Sequence, residues 1–291
     1  KLRGGGFDEM SVRLPRYLNT LGVYQVIPPI PTSFGQLTAR LENFRLVLYP
    51  FIEGQNGYQR SLSDAHWSEL GAALRKMHNT WFPEELLRPM RTEDYSDRWR
   101  SQVKHYLRKV ESVEYEEPIA RQVVTLLQSK RTQILDMVRS AERLALDLTA
   151  YSLPFVVCHG DLHAGNVLLT EKGELYIVDW ETLILAPKER DLMYIGGGLM
   201  GLHRTPADEE AAFYPSYADT TVNAAAIAYY RYERIIQDIA AFCQQLLDSS
   251  DGGEDRAQSL SYLKSNFLPN NVIQIAYQSD RTASQGSIGM P

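Results

Sequence analysis

The chain of 291 residues contains only two cysteines, Cys158 and Cys243, which lie far apart in the sequence. Two separated cysteines make neither a disulfide framework nor a cysteine-rich metal site, so we expect free, buried thiols in a protein of the reducing cytoplasm. The sequence has no run of eighteen apolar residues, which excludes a membrane-spanning helix. It also begins without the basic segment and apolar run of a secretory signal peptide.

Basic residues are too few and too scattered for a protein that binds nucleic acid. The chain carries 30 Lys and Arg against 36 Asp and Glu, a net charge of −6. Proteins that bind nucleic acid neutralise phosphates with clustered Lys and Arg, so we expect neither a nucleic acid nor a membrane as partner. An acidic chain suits a cationic small molecule better. Hydrophobic residues make up 44% of the sequence, which excludes disorder of the whole chain.

Hydrophobic spacing divides the chain into a small part with strands and a larger helical part. Residues 45–49 have the apolar pattern of a strand, and the polar, glycine-containing residues 53–57 follow it as a linker. Spacings of three and four residues then predict helices from Ser63 onwards, over 95–112, 118–148 and 208–247, with a loose tail from Ser279 to the end. We therefore expect an α+β fold of two lobes, residues 1–52 and residues 53–291.

The most informative motif is His-Gly-Asp-Leu-His-Ala-Gly-Asn at residues 159–166. A hairpin signal at 171–173 follows, and Asp179 comes directly after the returning strand, which places Asn166 and Asp179 at one end of the hairpin. Transfer of a phosphoryl group from a nucleotide needs a side chain that orients the attacking hydroxyl and oxygen ligands that hold metal ions. Asp161, Asn166 and Asp179 have these groups at kinase spacing, and Mg²⁺ prefers such oxygen ligands. A set of turn-forming Asx residues is the alternative, and it leaves the His-Gly-Asp unexplained.

With the later Ile-Val-Asp-Trp at 177–180, this motif resembles the aminoglycoside phosphotransferase and choline kinase family, which is related to the protein kinases. Residues 179–192 are similar to its spectinomycin (aminocyclitol) phosphotransferase-like branch. The resemblance extends from Lys1 to about residue 245. It implies a bilobal protein-kinase-like fold, with a small N-lobe that binds nucleotide and a large, mainly helical C-lobe that carries the catalytic loop.

The resemblance also implies roles for particular residues of the loop. Asp161 would be the catalytic base, which accepts the proton of the substrate hydroxyl. Asn166 and Asp179 would be the Mg²⁺ ligands. His159 and Asp191 would hold the geometry of the loop, and the role of His163 stays open between structure and chemistry.

On the nucleotide side, the resemblance assigns four residues to ATP. Lys1 and Glu9 are similar to the lysine and glutamate pair that contacts the phosphates, and two strands and a phosphate-covering loop would then precede Lys1 and be missing from the chain. The glycines at 4–6 follow the lysine, so they are a strand-to-helix turn. In the hinge, the C=O of Pro50 and the N–H of Ile52 would pair with adenine, a role that the missing N–H of proline does not prevent.

For the substrate, carboxylates and aromatic rings suit a cation. Four residues of the second half of the chain are candidates, and the alternatives for them are an exposed loop position or ordinary helix packing: Glu181, Tyr230, Glu233 and Asp238. We expect His66, His78, His105 and His203 at the surface or at helix ends rather than as ligands.

These observations predict an ATP- and Mg²⁺-dependent O-phosphotransferase that acts on a hydroxyl of a small cationic molecule. An aminocyclitol or aminoglycoside antibiotic such as spectinomycin is the first candidate, and its phosphorylation would confer resistance. Two alternatives stay open: a metabolite kinase for choline, a sugar or an amino alcohol, and an inactive nucleotide-binding scaffold. The intact set of Asp161, Asn166 and Asp179 argues against the scaffold, which has no physical need for all three residues.

Overall fold

Short strands lie in two groups, at residues 2–56 and 155–187, and most of the helices lie between these groups and after them. The computed structural model describes residues 2–3, 7–201, 204–218, 221–249, 253–269 and 271–286. The strands are β1 (Leu2–Arg3), β2 (Ala39–Leu41), β3 (Phe44–Leu46), β4 (Gln55–Asn56), β5 (Phe155–Cys158), β6 (Val167–Leu169), β7 (Leu175–Ile177) and β8 (Ile184–Pro187). The helices are α1 (Met10–Thr20), α2 (Asp64–His78), α3 (Glu84–Leu87), α4 (Arg98–Ser112), α5 (Pro118–Ala150), α6 (Glu189–Leu192), α7 (Pro206–Tyr217), α8 (Ala224–Leu247), α9 (Gly253–Ser265) and α10 (Val272–Gly286). Among the described residues, no helix is both long and apolar enough to cross a membrane.

The chain forms two compact units. The first consists of Lys1–Glu93 and Pro154–Thr221, and the second consists of Asp94–Leu153 and Val222–Pro291. The predicted α+β class is confirmed, since the first unit combines small sheets with helices and the elements described in the second unit are helices. The predicted lobes, residues 1–52 and 53–291, are a different division of the chain and remain a prediction.

Three small sheets organise the first unit. Their strand orders are β1–β3–β2, β4–β6–β7 and β5–β8, and every pair of neighbouring strands is antiparallel. The predicted hairpin is formed by β6 and β7, with Val167 opposite Ile177 and Leu169 opposite Leu175. These four side chains are buried, so alternate residues of the hairpin anchor it in the core. The strand predicted at 45–49 is shorter and ends at Leu46.

Helix α2 begins where the sequence predicts. Ser63 is its N-cap, with a side chain that accepts a hydrogen bond from the backbone N–H of His66. The His66 ring accepts one in return from the backbone N–H of Ser63 at Nδ1 and reaches the carbonyl of Gly173 through Nε2. This reciprocal capping satisfies donors that the first helical turn leaves without partners. The expected position of His66 at a helix end is confirmed.

Helix packing builds the second unit. Long helices predicted at 95–112 and 118–148 are present as α4 and α5, and the buried stripe of α5 includes Val123, Leu127, Ile134 and Val138. One long helix over 208–247 was a wrong prediction. Helix α7 ends at Tyr217, and a new helix, α8, starts after Asn223, whose side chain accepts a hydrogen bond from the N–H of Ala226. A polar side chain at an N-cap favours such a new start.

The loose tail predicted from Ser279 is also wrong as far as Gly286, where helix α10 ends. Ile273 and Ala276 are buried on this helix, and the Tyr277 hydroxyl donates a hydrogen bond to the carbonyl of Gln133 in α5. Packing against the rest of the unit therefore stabilises this helix.

Candidate active site

Strand β5 leads directly into the segment of residues 159–166, which we call the catalytic loop. Val157 and Cys158 at the end of β5 are buried, and the Cys158 thiol lies 3.5 Å from the carbonyl oxygen of Pro187 on β8. Burial raises the pKa of this thiol well above its ordinary value. Cys158 therefore packs as a neutral core residue and gives the loop a fixed starting point.

The buried carboxylate of Asp191 holds the first two residues of the loop. The backbone N–H groups of His159 and Gly160 each donate a hydrogen bond of 2.8 Å to this carboxylate, one to each oxygen. Gly160 has a φ of +82°, and a Cβ at this position would collide with the backbone carbonyl of Thr182. A glycine is therefore required where the chain turns towards Asp161.

His78, on the last turn of α2, supports Asp191 from the other side. Its Nε2 lies 3.1 Å from Asp191 Oδ2, and its Nδ1 lies 2.8 Å from the hydroxyl of Tyr217. Burial by itself would raise the pKa of Asp191, but the hydrogen bond with His78 and the hydrogen bond from the N–H of Gly160 outweigh it and lower the pKa. His78 is the last residue of α2, so its expected position at a helix end is confirmed, and its ring is buried between two hydrogen-bond partners.

The His159 ring connects the loop to the hairpin. Its Nδ1 accepts a hydrogen bond from the N–H of Asp161 at 3.3 Å, so the proton resides on Nε2, which donates to the carbonyl of Val178 at 3.0 Å. The ring also packs edge-on against Trp180. His159 thus lies in a position that fixes geometry, away from any role that needs a mobile proton.

Asp161 has neighbours at both carboxylate oxygens. The hydroxyl of Tyr194 donates a 3.1 Å hydrogen bond to Oδ1, and Nε2 of His163 lies 3.6 Å from Oδ2. The Asp161 side chain is 24% exposed, so it is held on the protein side and open to solvent on the other. A fixed and partly exposed carboxylate can accept a proton from a hydroxyl that approaches it.

Asn166 and Asp179 lie at the same end of the β6–β7 hairpin. Asn166 Nδ2 donates a 2.7 Å hydrogen bond to the carbonyl of Asp161, which leaves Oδ1 as the atom for a cation. The backbone carbonyl of Asn166 accepts a bond from the N–H of Val178, the neighbour of Asp179. Asp179 is exposed and has a φ of +65°, in the left-handed region. An amide oxygen and an exposed carboxylate fit the oxygen ligands that Mg²⁺ prefers.

Three of the four residues predicted to bind the nucleotide lie among the described residues. Lys1 lies outside the described residues. Glu9 is exposed at the start of α1, and Pro50 and Ile52 lie in the irregular segment between β3 and β4, where Pro50 is exposed and Ile52 half-buried. Their roles in binding ATP stay predictions.

The four residues predicted for the substrate have different surroundings. Glu181 is exposed in a short 3₁₀ turn, Trp180–Thr182, directly after Asp179. The other three belong to α8 in the second unit, where Tyr230 is fully buried, Glu233 lies 2.8 Å from Arg100, and Asp238 lies 3.1 Å from Arg234. Their roles in binding substrate also remain predictions.

Tyr194 and Tyr58 were not found by reasoning from the sequence. Tyr194 touches Asp161 across 33 residues of chain, and Tyr58 stacks on His163 across more than one hundred. Neither tyrosine belongs to a motif that the sequence analysis found. The one signal for Tyr194 is its position three residues after Asp191, within a segment that the buried Asp191 anchors.

Comparisons with known proteins show the family of the chain. Residues 10–233 match the model of the phosphotransferase enzyme family. A crystal structure of spectinomycin phosphotransferase, APH(9)-Ia, in complex with ADP and spectinomycin is 34% identical, with a TM-score of 0.89, and the match covers 96% of this chain and 85% of that one. An AMP-bound complex of the same enzyme is 35% identical, with a TM-score of 0.86, over 95% of this chain and 86% of that one.

More distant structures share the fold alone. An aminoglycoside phosphotransferase from Alicyclobacillus acidocaldarius is 13% identical, with a TM-score of 0.63, over 99% of this chain and 87% of that one. No curated protein sequence matches the chain. The family match and the 34% identity over nearly the whole chain show that this protein belongs to the phosphotransferase enzyme family, as a small-molecule kinase that phosphorylates an alcohol group.

Proposed function

We propose that this kinase transfers the γ-phosphate of ATP to a hydroxyl of a cationic aminocyclitol, with spectinomycin as the first candidate. One observation carries the proposal: the 34% identity to spectinomycin phosphotransferase extends over 96% of this chain. The net charge of −6 suits a cationic acceptor. In a bacterium that is exposed to spectinomycin, this activity would confer resistance. The two buried free thiols suit the cytoplasm as the place of action.

Asp161 performs the acid–base part of the reaction. Its carboxylate orients the acceptor hydroxyl towards the γ-phosphate and takes the hydroxyl proton as the new O–P bond forms, while the bond from the γ-phosphorus to the bridging oxygen breaks and ADP leaves. General base catalysis of this kind contributes about 10²–10⁴-fold to a rate. The hydrogen bond from Tyr194 to Oδ1 keeps the carboxylate in one orientation, which reduces the reorganisation that the reaction needs.

Asn166 and Asp179 would hold Mg²⁺, which when bound neutralises the charge that develops on the phosphates. The complexes of spectinomycin phosphotransferase with ADP and AMP support an adenine nucleotide as the phosphate donor here. Lys1 and Glu9 are the proposed phosphate contacts, and the backbones of Pro50 and Ile52 are the proposed contacts for adenine.

On the acceptor side, we propose that carboxylate side chains of the protein bind an amine of the substrate. Glu181 is the first of these, because it is exposed and follows Asp179 by two residues. Glu233 and Asp238 are weaker candidates, since each already lies beside an arginine of its own unit. Tyr230 would act through packing, because its ring is fully buried.

The test is a phosphate-transfer assay on the purified chain with ATP, Mg²⁺ and a panel of acceptors. The panel contains spectinomycin, an aminoglycoside, choline, ethanolamine and a simple sugar, and mass spectrometry detects the acceptor that gains one phosphate. We expect spectinomycin to be phosphorylated. Transfer to choline, ethanolamine or the sugar alone would show that the substrate is a metabolite rather than an aminocyclitol. Nucleotide binding without transfer to any acceptor would support the alternative of an inactive nucleotide-binding scaffold.

The Asp161→Asn variant is the matched control for this assay. It keeps the size and polarity of the side chain and removes its basicity. We expect turnover to fall at least about a hundredfold, while circular dichroism and thermal unfolding stay close to those of the wild type. Full activity of this variant would remove Asp161 from its role as base.

A further inference from the structure

We propose that His163 is a positioning residue that directs a ring N–H at Oδ2 of Asp161 and so fixes the orientation of the catalytic carboxylate. The catalytic part of this inference rests on the proposed function, whereas the contact itself does not. Three features of the structure carry it: the tautomer of the ring, the distance from the ring to Asp161, and the packing that keeps the ring in place.

The tautomer follows from the capping role of His163. His163 is the N-cap of the 3₁₀ turn Ala164–Asn166, and its Nδ1 accepts a 3.0 Å hydrogen bond from the N–H of Gly165. A ring nitrogen that accepts a hydrogen bond carries no proton. The proton of the neutral ring is therefore on Nε2, the nitrogen that faces Asp161.

The distance from Nε2 to Asp161 Oδ2 is 3.6 Å. This is longer than a hydrogen bond, so in the structure it is an electrostatic contact between an N–H dipole and a carboxylate. Contacts in an active site without substrate are often long and shorten when the substrate binds. Because Tyr194 already holds Oδ1, a donor at Oδ2 leaves the carboxylate with one preferred plane.

Packing prevents the His163 ring from turning away. The ring of Tyr58 stacks on it, with 5.9 Å between centroids and 22° between planes. The hydroxyl of Tyr58 donates to the carbonyl of Leu199, which also accepts a bond from the N–H of Ala164. A Cβ at position 165 would lie 2.6 Å from the imidazole, so Gly165 is needed for this arrangement.

The two roles of His163, cap and donor, can be separated by substitution. In His163→Asn, the amide oxygen can occupy the place of Nδ1 and keep the cap, but the side chain is too short to reach Asp161. In His163→Gln, the longer side chain can place an N–H near the position of Nε2, while the cap is weakened. The pair therefore distinguishes a donor to Asp161 from a residue that only shapes the loop.

We expect His163→Asn to unfold at nearly the wild-type temperature and to lose about tenfold to a hundredfold in kcat, with little change in KM for ATP. We expect His163→Gln to recover part of kcat despite a lower melting temperature. An unchanged kcat in His163→Asn would overturn the proposal. So would a loss in both variants that follows their melting temperatures, because it would assign His163 to structure alone.

A second measurement does not depend on activity. In ¹⁵N NMR spectra of the wild-type chain, we expect the neutral His163 ring to carry its proton on Nε2, and we expect the Nε2 signal to shift in Asp161→Asn. A proton on Nδ1, or a signal that does not respond to Asp161→Asn, would refute the contact. If the wild type transferred no phosphate to any acceptor, the proposed function would fail. The NMR result would still decide whether the Nε2–H of His163 contacts Asp161.

Discussion

The hydroxyl of Tyr194 donates a 3.1 Å hydrogen bond to Oδ1 of Asp161, and the Tyr194 ring is fully buried. Tyr194 follows α6, the helix that contains Asp191. A single short segment therefore supplies both the anchor of the loop backbone and a donor to the side chain of Asp161. The orientation of Asp161 is set by a part of the fold that is rigid because it is buried.

We predict that Tyr194→Phe lowers kcat by about tenfold to a hundredfold, the equivalent of one hydrogen bond to a charged group, worth about 1.5–3 kcal/mol. The phenyl ring retains the packing, so the melting temperature should change little. Steady-state kinetics with ATP and the acceptor that the phosphate-transfer assay identifies provide the measurement. An unchanged kcat would mean that Asp161 does not need this donor.

How far the sequence could predict this site depends on whether the contacts are local. Asp161, Asn166 and Asp179 lie within 19 residues of one another, on a loop and a hairpin whose turn signal at 171–173 is plain in the sequence. The β6–β7 hairpin and the start of α2 near Ser63 were correctly predicted because their signals are local.

The contacts that were missed join distant parts of the chain. His78 meets Asp191 across 113 residues, and Tyr58 meets His163 across 105. Spacing in the sequence contains no information about such pairs, because they depend on how α2 and the β4–β6 sheet pack. The helical end of α10 was missed because residues 279–286 are mostly polar, whereas the buried Ile273 and Ala276 lie before Ser279.

The metal site gives a second prediction. If Asn166 and Asp179 hold Mg²⁺, then Asp179→Asn removes one negative charge from the site, and ligand charge strongly tunes the affinity for a divalent cation. We expect the Mg²⁺ concentration for half-maximal activity to rise by about tenfold or more. A titration of initial rate against Mg²⁺ measures this. Equal Mg²⁺ dependence in the variant and the wild type would exclude Asp179 as a ligand.

The contact of His78 with Asp191 gives a third prediction. His78→Ala removes a hydrogen-bond partner from the fully buried carboxylate of Asp191, and a hydrogen bond to a charged group contributes about 1.5–3 kcal/mol. Tyr217→Phe is the matched control, because it removes only the hydroxyl at the other ring nitrogen, at a cost of about 1 kcal/mol. Urea unfolding measures both changes. A smaller loss in His78→Ala than in Tyr217→Phe would contradict the role of His78 as the support of Asp191.

The lowered pKa of Asp191 gives a fourth prediction, on the dependence of stability on pH. The unfolded chain titrates this carboxyl near its ordinary value of 3.8, and the folded chain titrates it lower. The stabilisation is therefore fully present above pH 3.8 and is lost as the pH falls through the folded value. We expect the free energy of unfolding to decrease below about pH 4 and to decrease less steeply in Asp191→Asn. Parallel curves for the two proteins would show that Asp191 is not a source of the acid sensitivity.

The two cysteines give the last prediction. Both thiols are fully buried, and burial raises the pKa of Cys158 well above its ordinary value and that of Cys243 to about 12. Only the thiolate is a nucleophile, so at pH 8 both burial and protonation protect the native protein. We expect no reaction of the folded chain with a thiol-specific disulfide reagent, and reaction of both thiols once guanidinium chloride unfolds it. Rapid labelling of Cys158 in the native state would show instead that β5 opens, and with it the start of the catalytic loop.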